Sequence, residues 1–169
     1  MQTEIIYRSI GVIKTPYKRI ADMPIQPKGA QGIEGIVELI EEFTPGLIDL
    51  EGFSHIILLY HFHMVKGYNL SVVPFMDNKP HGIFATRAPV RSNSIGISIV
   101  KLKKVEDNQV YFEGADMLND TPLIDIKPYF PKYDSLNNAS GGWLEEKGNI
   151  EISKMKSDGR FDTAKPETK

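Results

Sequence analysis

No cysteine occurs in the 169 residues, and that absence removes disulfides, thiolate catalysis and cysteine-ligated zinc from consideration. No apolar run approaches the roughly 20 residues of a membrane-spanning helix. The start of the chain has no basic stretch followed by an apolar core, so a cytoplasmic setting is expected. No G-x-G-x-x-G follows a strand-like run, which leaves a Rossmann-type nucleotide site unsupported. An excess of charge is missing too. With a formal net charge of −2, binding to a nucleic acid needs a local basic patch rather than an overall field.

What is present describes one ordinary folded domain. Apolar residues make up 41% and charged residues 25%, enough for a core and too little charge for a disordered chain. The apolar residues fall into short runs with strand composition: Ile5 to Ile13, Ile33 to Ile40, His55 to Met64, Ile95 to Val105, Gln109 to Gly114 and Leu123 to Ile126. Asp107-Asn108 supplies turn chemistry between two of them. Thr44 to Leu50 opens with threonine and proline, the start of a short helix. Strands with turns between them and no helix–strand repeat predict a mainly all-β fold, a compact antiparallel β-barrel with one short helix and long loops. The barrel is expected over residues 1–136, followed by a polar tail, 137–169, disordered from about Ser157.

Three segments carry polar groups in excess of what a turn needs. The first is the aperiodic loop from Lys14 to Gly32, too long to be only a connection in a small domain. The second is His81 to Ser98, HGIFATRAPVRSNSIGIS, where an apolar run switches to Thr86, Arg87, Arg91, Ser92, Asn93 and Ser94 and then back. Its guanidinium forks suit carboxylates or phosphates; a solvated hairpin tip has the same composition. The third is Asp116 to Tyr129. On the His55–Met64 run, period two places His55, Ile57, Leu59, His61 and His63 on one face and Ile56, Leu58, Tyr60 and Phe62 on the other. His61 and His63 are thus spaced to share a metal, with His81 or Glu113 as a third ligand, or else are hydrogen-bonded rim histidines.

The strings LEGFSHIILLYHFH, GIFATRAPVRSNSIGIS and DTPLIDIKPYFPKYDS, in that order, resemble the TsaA-like (TrmO-type) family of tRNA methyltransferases from IGVIKTPY onward. The resemblance implies a β-barrel that binds S-adenosylmethionine as a homodimer and methylates N6 of threonylcarbamoyladenosine next to the tRNA anticodon. It implies cofactor contacts at Gln26, Pro27 and Lys28, at the Phe62-His63 pair, at Arg87 of the Ala85-Thr86-Arg87 motif, at Ile97, and along Asp116, Met117 and Leu118. The fork of Arg87 matches the cofactor carboxylate or an RNA phosphate. Asp125 or Asp116 is a candidate to take the released proton.

RNA contacts are expected at Lys14 and Lys18 in the first loop, Arg91 and Asn93 in the second, and Lys127 beyond the third. Arg19, Lys28 and Lys132 would extend that patch. The same charges also fit a merely solvated surface. Against the family's pattern, Ala88, Ser92 and Ser94 replace a serine and two prolines, leaving that loop less pre-set. Asn119-Asp120 stands where an Asp-Gly turn is usual. Two other function classes fit parts of the sequence: a metal-dependent barrel enzyme built on His61 and His63, and a binding module without chemistry.

Overall fold

Period-two alternation turns one set of apolar side chains inward on every long strand, and the six strands that carry such sets close on one another. The computed structural model describes residues 3–147 and 155–161. Around the barrel run β1 (Gly11–Lys14), β2 (Glu34–Leu39), β7 (Gln109–Glu113), β6 (Ile95–Glu106), β3 (His55–His61) and β8 (Thr121–Pro128), all antiparallel. Closure leaves no long unpaired edge on the barrel. A two-stranded ribbon, β4 (Ser71–Val72) with β5 (His81–Gly82), stands beside it. The expected antiparallel barrel is what forms.

Ile13, Val37, Ile56, Leu58, Val110, Phe112 and Leu123 fill the interior and are fully buried. Each is worth roughly 1.5–3 kcal/mol relative to exposure. The Phe112 ring fits because its cross-strand partner is Gly35. A β-carbon there would collide with the ring.

Three expectations change at the edges. The strand expected over Ile5 to Ile13 joins the barrel only at Gly11, and Ile5 and Ile6 remain 69% and 81% exposed. The ladders of β1 with β2 and with β8 both stop at Gly11. The helix expected from Thr44 is replaced by 3-10 turns at Glu41–Leu47 and Leu50–Gly52. Thr44 sits inside the first, so it caps nothing, and its hydroxyl is buried without a partner. Pro45 removes one amide donor there, which favours tight turns over an α-helix. The only α-helical stretch among the described residues is α1 (Pro131–Asp134).

The tail expected to be disordered from about Ser157 folds back over residues 157–161. Ser157 N–H donates to Met23 O at 2.8 Å, Arg160 donates to Pro74 O at 3.1 Å, and Phe161 is buried. One aromatic in a polar run is the reason: Phe161 completes a small cluster with Val72, Ile83, Ala88 and Val90. Residues 148–154 and the rest of the tail, 162–169, lie outside the described residues. Among those described, no helix is long and apolar enough to cross a membrane.

Candidate functional site

Strands β1, β3 and β7 end, and β2, β6 and β8 begin, at the same end of the barrel, so the polar segments of the sequence meet there. Between them lies a cavity of about 750 Å³, within the usual range for small-molecule sites. Its floor is barrel: Tyr60, Gly96, Asp116 and Thr121. Its walls are loops: Gln26 and Pro27 from the first segment, Phe62 and His63 after β3, Thr86 and Arg87 from the second, and Met117 and Leu118 after β7.

Hydrogen bonds hold the loops in register. Thr15 Oγ1 donates to Met117 O at 2.9 Å, Thr121 Oγ1 to Leu118 O at 2.8 Å, and Asn119 N–H to Tyr17 O at 2.8 Å. These leave the 117–118 backbone fixed beside the cavity. Phe62 N–H donates to Ser94 O at 2.8 Å, which joins the segment after β3 to the start of β6. The C-terminal residues form a clasp over the same loops. Trp143 Nε1–H donates to Ala85 O at 2.8 Å, its ring stacks on His81 at 4.2 Å, and Lys147 pairs with Asp77 at 2.8 Å. Lys147, then His81, hold the Asp77 carboxyl well below the usual carboxylate range.

The floor carries the unusual electrostatics. Tyr60 hydroxyl and Ser98 Oγ are 3.0 Å apart, and Ser98 Oγ donates to Asp116 Oδ1 at 2.7 Å. Burial pushes the Asp116 carboxyl up to about 7, opposed by the Ser98 hydrogen bond, the residue's own backbone N–H and the charge of Arg87. The residue keeps some exposure only because it opens into the cavity. Burial, then the Asp116 charge, also pushes the Tyr60 phenol up. Burial, then His61, holds the His63 imidazole below its ordinary value. Arg87 is exposed to the cavity, and among the described residues its guanidinium makes no hydrogen bond or ion pair.

Of the expected cofactor residues, Gln26, Pro27, Phe62, His63, Arg87, Ile97, Asp116, Met117 and Leu118 all line this cavity. Lys28 does not; it sits exposed in the short 3-10 turn Pro27–Ala30. The two candidate proton acceptors separate. Asp116 is on the floor, whereas Asp125 is outside the barrel in an ion pair with Lys127 at 2.7 Å. A bulge is responsible. Tyr60 pairs with Leu123 but Leu59 pairs with Asp125, so Ile124 is an extra residue and the inward role passes from Leu123 to Ile126.

The expected RNA residues are not gathered into one bare patch. Arg91 Nη1 donates to the carbonyls of Ile83, Thr86 and Ala88 at 3.1, 2.9 and 3.5 Å, so its guanidinium braces the second loop from within. Lys14 pairs with Asp120 at 2.6 Å and Lys127 with Asp125. Lys18 and Asn93 are exposed and outside the cavity. For the metal alternative, His81 is held by Asp77 at 2.9 Å and Glu113 by Gly32 N–H and Lys103. Among the described residues no three His, Cys, Asp or Glu side chains are placed to hold a metal.

Sequence reasoning missed Tyr60, Ser98 and Trp143. A signal existed for the first two: Tyr60 stands on the inward face of its run, and Ser98 is a lone hydroxyl on the inward period of IGISIV. Nothing in the polar tail pointed to Trp143.

The family described as tRNA-methyltransferase O N-terminal domain matches residues 12–135. A probable S-adenosyl-L-methionine-binding protein of Pyrococcus abyssi is 50% identical over 157 residues, covering 93% of this chain and 85% of that protein. A tRNA (adenine(37)-N6)-methyltransferase of Escherichia coli K12 is 36% identical, covering 87% of this chain and 67% of that protein. Among solved structures, the crystal structure of TrmO from Pseudomonas aeruginosa superposes with a TM-score of 0.71 at 34% identity, over 83% of this chain. The chain spans 63% of that larger protein.

Proposed function

Because the chain belongs to the tRNA-methyltransferase O N-terminal domain family, we propose that it is an S-adenosylmethionine-dependent tRNA adenine-N6 methyltransferase. Its finer substrate is then the N6 position of threonylcarbamoyladenosine next to the anticodon. One observation carries this reading: residues from three separate motif blocks line a single cavity around the guanidinium of Arg87, unpaired among the described residues.

The residues present fit that cofactor. Arg87 offers a fork to its carboxylate. Gln26, Pro27 and the fixed backbone at Met117 and Leu118 offer groups to its adenine and ribose. Phe62 and Ile97 supply apolar wall, as pockets for drug-sized ligands require. When bound, the cofactor supplies a methyl group on a positive sulfur, so the protein's main tasks are alignment and proximity. Asp116, at the floor, is the group within the cavity suited to take the proton that leaves the substrate nitrogen.

For the tRNA, Lys18 and Lys28 provide charge. The Lys14 and Lys127 pairs are exposed, and pairs of that kind hold by only about 0–1 kcal/mol, so phosphates can displace their carboxylates. The proposal extends to a homodimer. Ile95, Ile97 and Ile99 are 39%, 48% and 44% exposed on the outer face of β6, Ile95 and Ile97 also lining the cavity, opposite His61, Leu59 and Ile57 of β3. An apolar strip of that kind on a soluble barrel favours a partner, and a two-fold copy sets strip against strip.

The test is incubation with methyl-labelled cofactor and tRNA, followed by digestion to nucleosides. Label in an N6-methylated threonylcarbamoyladenosine is expected, with a chelator present. Binding of cofactor by calorimetry without transfer to any tRNA would favour the binding module. Transfer abolished by the chelator would favour the metal enzyme. Light scattering is expected to give about twice the 19.0 kDa chain mass.

A further inference from the structure

We propose that Ser98 and Tyr60 are positioning residues for methyl transfer, holding Asp116 so that its free oxygen accepts the proton released from the substrate's exocyclic nitrogen. The inference rests on the functional reading above and adds to it the device that orients the acceptor.

The device begins with a glycine. Tyr60 on β3 lies directly opposite Gly96 on β6, and a β-carbon at position 96 would collide with the Tyr60 ring. Glycine therefore creates the seat that the ring fills, an arrangement in which an aromatic covers a cross-strand glycine. Phe62 packs edge-on against the other side of the ring, with centroids 5.4 Å apart at 84°. So held, the phenol reaches along the strand to Ser98, the next inward residue of β6, at 3.0 Å.

Proton counting sets the direction of the chain. A serine hydroxyl has one proton, and Ser98 gives its proton to Asp116 Oδ1 at 2.7 Å. Its oxygen then accepts from Tyr60, which has no other polar partner among the described residues. Both hydroxyl protons thus point toward the carboxylate. Oδ1 takes the Ser98 proton, and beyond the residue's own backbone N–H no further donor among the described residues reaches the carboxyl, so Oδ2 is the oxygen left to take a proton.

The other ionisable groups around Asp116 are Arg87 from the second loop and Tyr17 from the first. Arg87 supports the ionised form; Tyr17 is neutral at working pH. Burial sets the carboxyl close to neutrality, at about 7, where a general base is most effective.

The step balances without any further reactant. The N–CH3 bond forms as the methyl C–S bond breaks, with that electron pair staying on sulfur. The N–H electron pair stays on nitrogen, and the proton moves to Asp116 Oδ2. From there it leaves to solvent through the open side of the cavity.

The experiment is single-turnover methyl transfer to tRNA by the full chain, measured from about pH 5.5 to 9, with cofactor affinity followed by calorimetry at each pH. In the wild type the rate is expected to rise with pH through a limb near 7. Ser98→Ala removes the donor and should move that limb upward by about one unit, a roughly ten-fold loss below it, with recovery at high pH and cofactor affinity retained. Tyr60→Phe should move it less, in the same direction, and Ser98→Thr should restore it. A Ser98→Ala rate lowered equally at every pH, or a limb that stays in place, would overturn the proposal. So would full transfer by Asp116→Asn, because the acceptor itself would then be wrong. A wild type that transfers no methyl group at any pH would instead overturn the functional reading beneath it.

Discussion

Tyr60, Ser98 and Asp116 stand on or beside paired strands, with Tyr60 only 4% exposed, whereas Arg87 stands on a loop and Phe84 and Trp143 on short 3-10 turns, with Phe84 77% exposed. On the floor, Tyr60 and Ser98 are positioned by cross-strand register, and Asp116, just past β7, is held by Ser98. The rim is positioned by point contacts: Arg91 on three carbonyls, Trp143 on Ala85 O, and Arg160 on Pro74 O. Floor changes should therefore alter proton chemistry and global stability together. Rim changes should alter ligand affinity and leave global stability nearly unchanged.

The largest expected effect concerns the floor carboxyl. In the folded protein it titrates near 7, and in the unfolded chain near 4. Below both values it is neutral in both states and burial is harmless; above both it is charged, and folding must bury that charge. Wild-type stability from this group thus falls as pH rises from about 4 to 7. Asp116→Asn should accordingly stabilise the apo protein at pH 8, by on the order of 2 kcal/mol, with no gain at pH 4. Thermal melts at the two pH values decide it; equal gains at both would place the effect elsewhere.

Gly96→Ala comes next. The added methyl drives the Tyr60 ring out of its seat, an overpacking expected to cost about 1–3 kcal/mol and to abolish the alignment of Asp116. A variant with unchanged melting temperature and full transfer would mean the ring is not held by that glycine.

On the rim, Arg87→Ala should weaken cofactor binding by about 1.5–3 kcal/mol, the range for a hydrogen bond to a charged group. The melting temperature of the apo protein should stay put. Calorimetry beside a thermal melt separates the two effects. The smallest expected change is Trp143→Ala, which unties the clasp from Ala85 and His81. A loss of about 1 kcal/mol in cofactor affinity is expected, again without a fall in melting temperature. A large fall there would mean that the clasp belongs with the floor.

Two departures in the sequence find their compensation in space. Ser92 and Ser94 stand where the resembled family has prolines, which stiffen a loop through its unfolded state. Here the loop is stiffened in the folded state, by the Arg91 guanidinium on the Ile83, Thr86 and Ala88 carbonyls. Asp120 occupies the left-handed conformation, φ 63°, that a glycine would take without strain. Its carboxylate bonds Lys14 and Asn119 at 2.6 and 2.8 Å. Lys14 thus braces a turn through an exposed ion pair, which its place in a basic-looking loop did not reveal.

Alternation alone determined much of this protein. It specified the two faces of β3, and turn chemistry specified the hairpin at Asp107-Asn108. These are local properties, because a side chain's face on a strand depends only on its neighbours' parity. Tertiary structure decided the rest. Parity fails at a bulge, so only the β3–β8 pairing could send Asp125 outward. A guanidinium looks the same in sequence whether it meets RNA or backbone, so only the folded loop could assign Arg91. Ser98 can orient Asp116 only because Gly96 admits Tyr60 from another strand, and Trp143 joins the site only through Ala85 and His81, far from it in sequence. Each of these depends on contacts between residues distant in sequence, which no local pattern encodes.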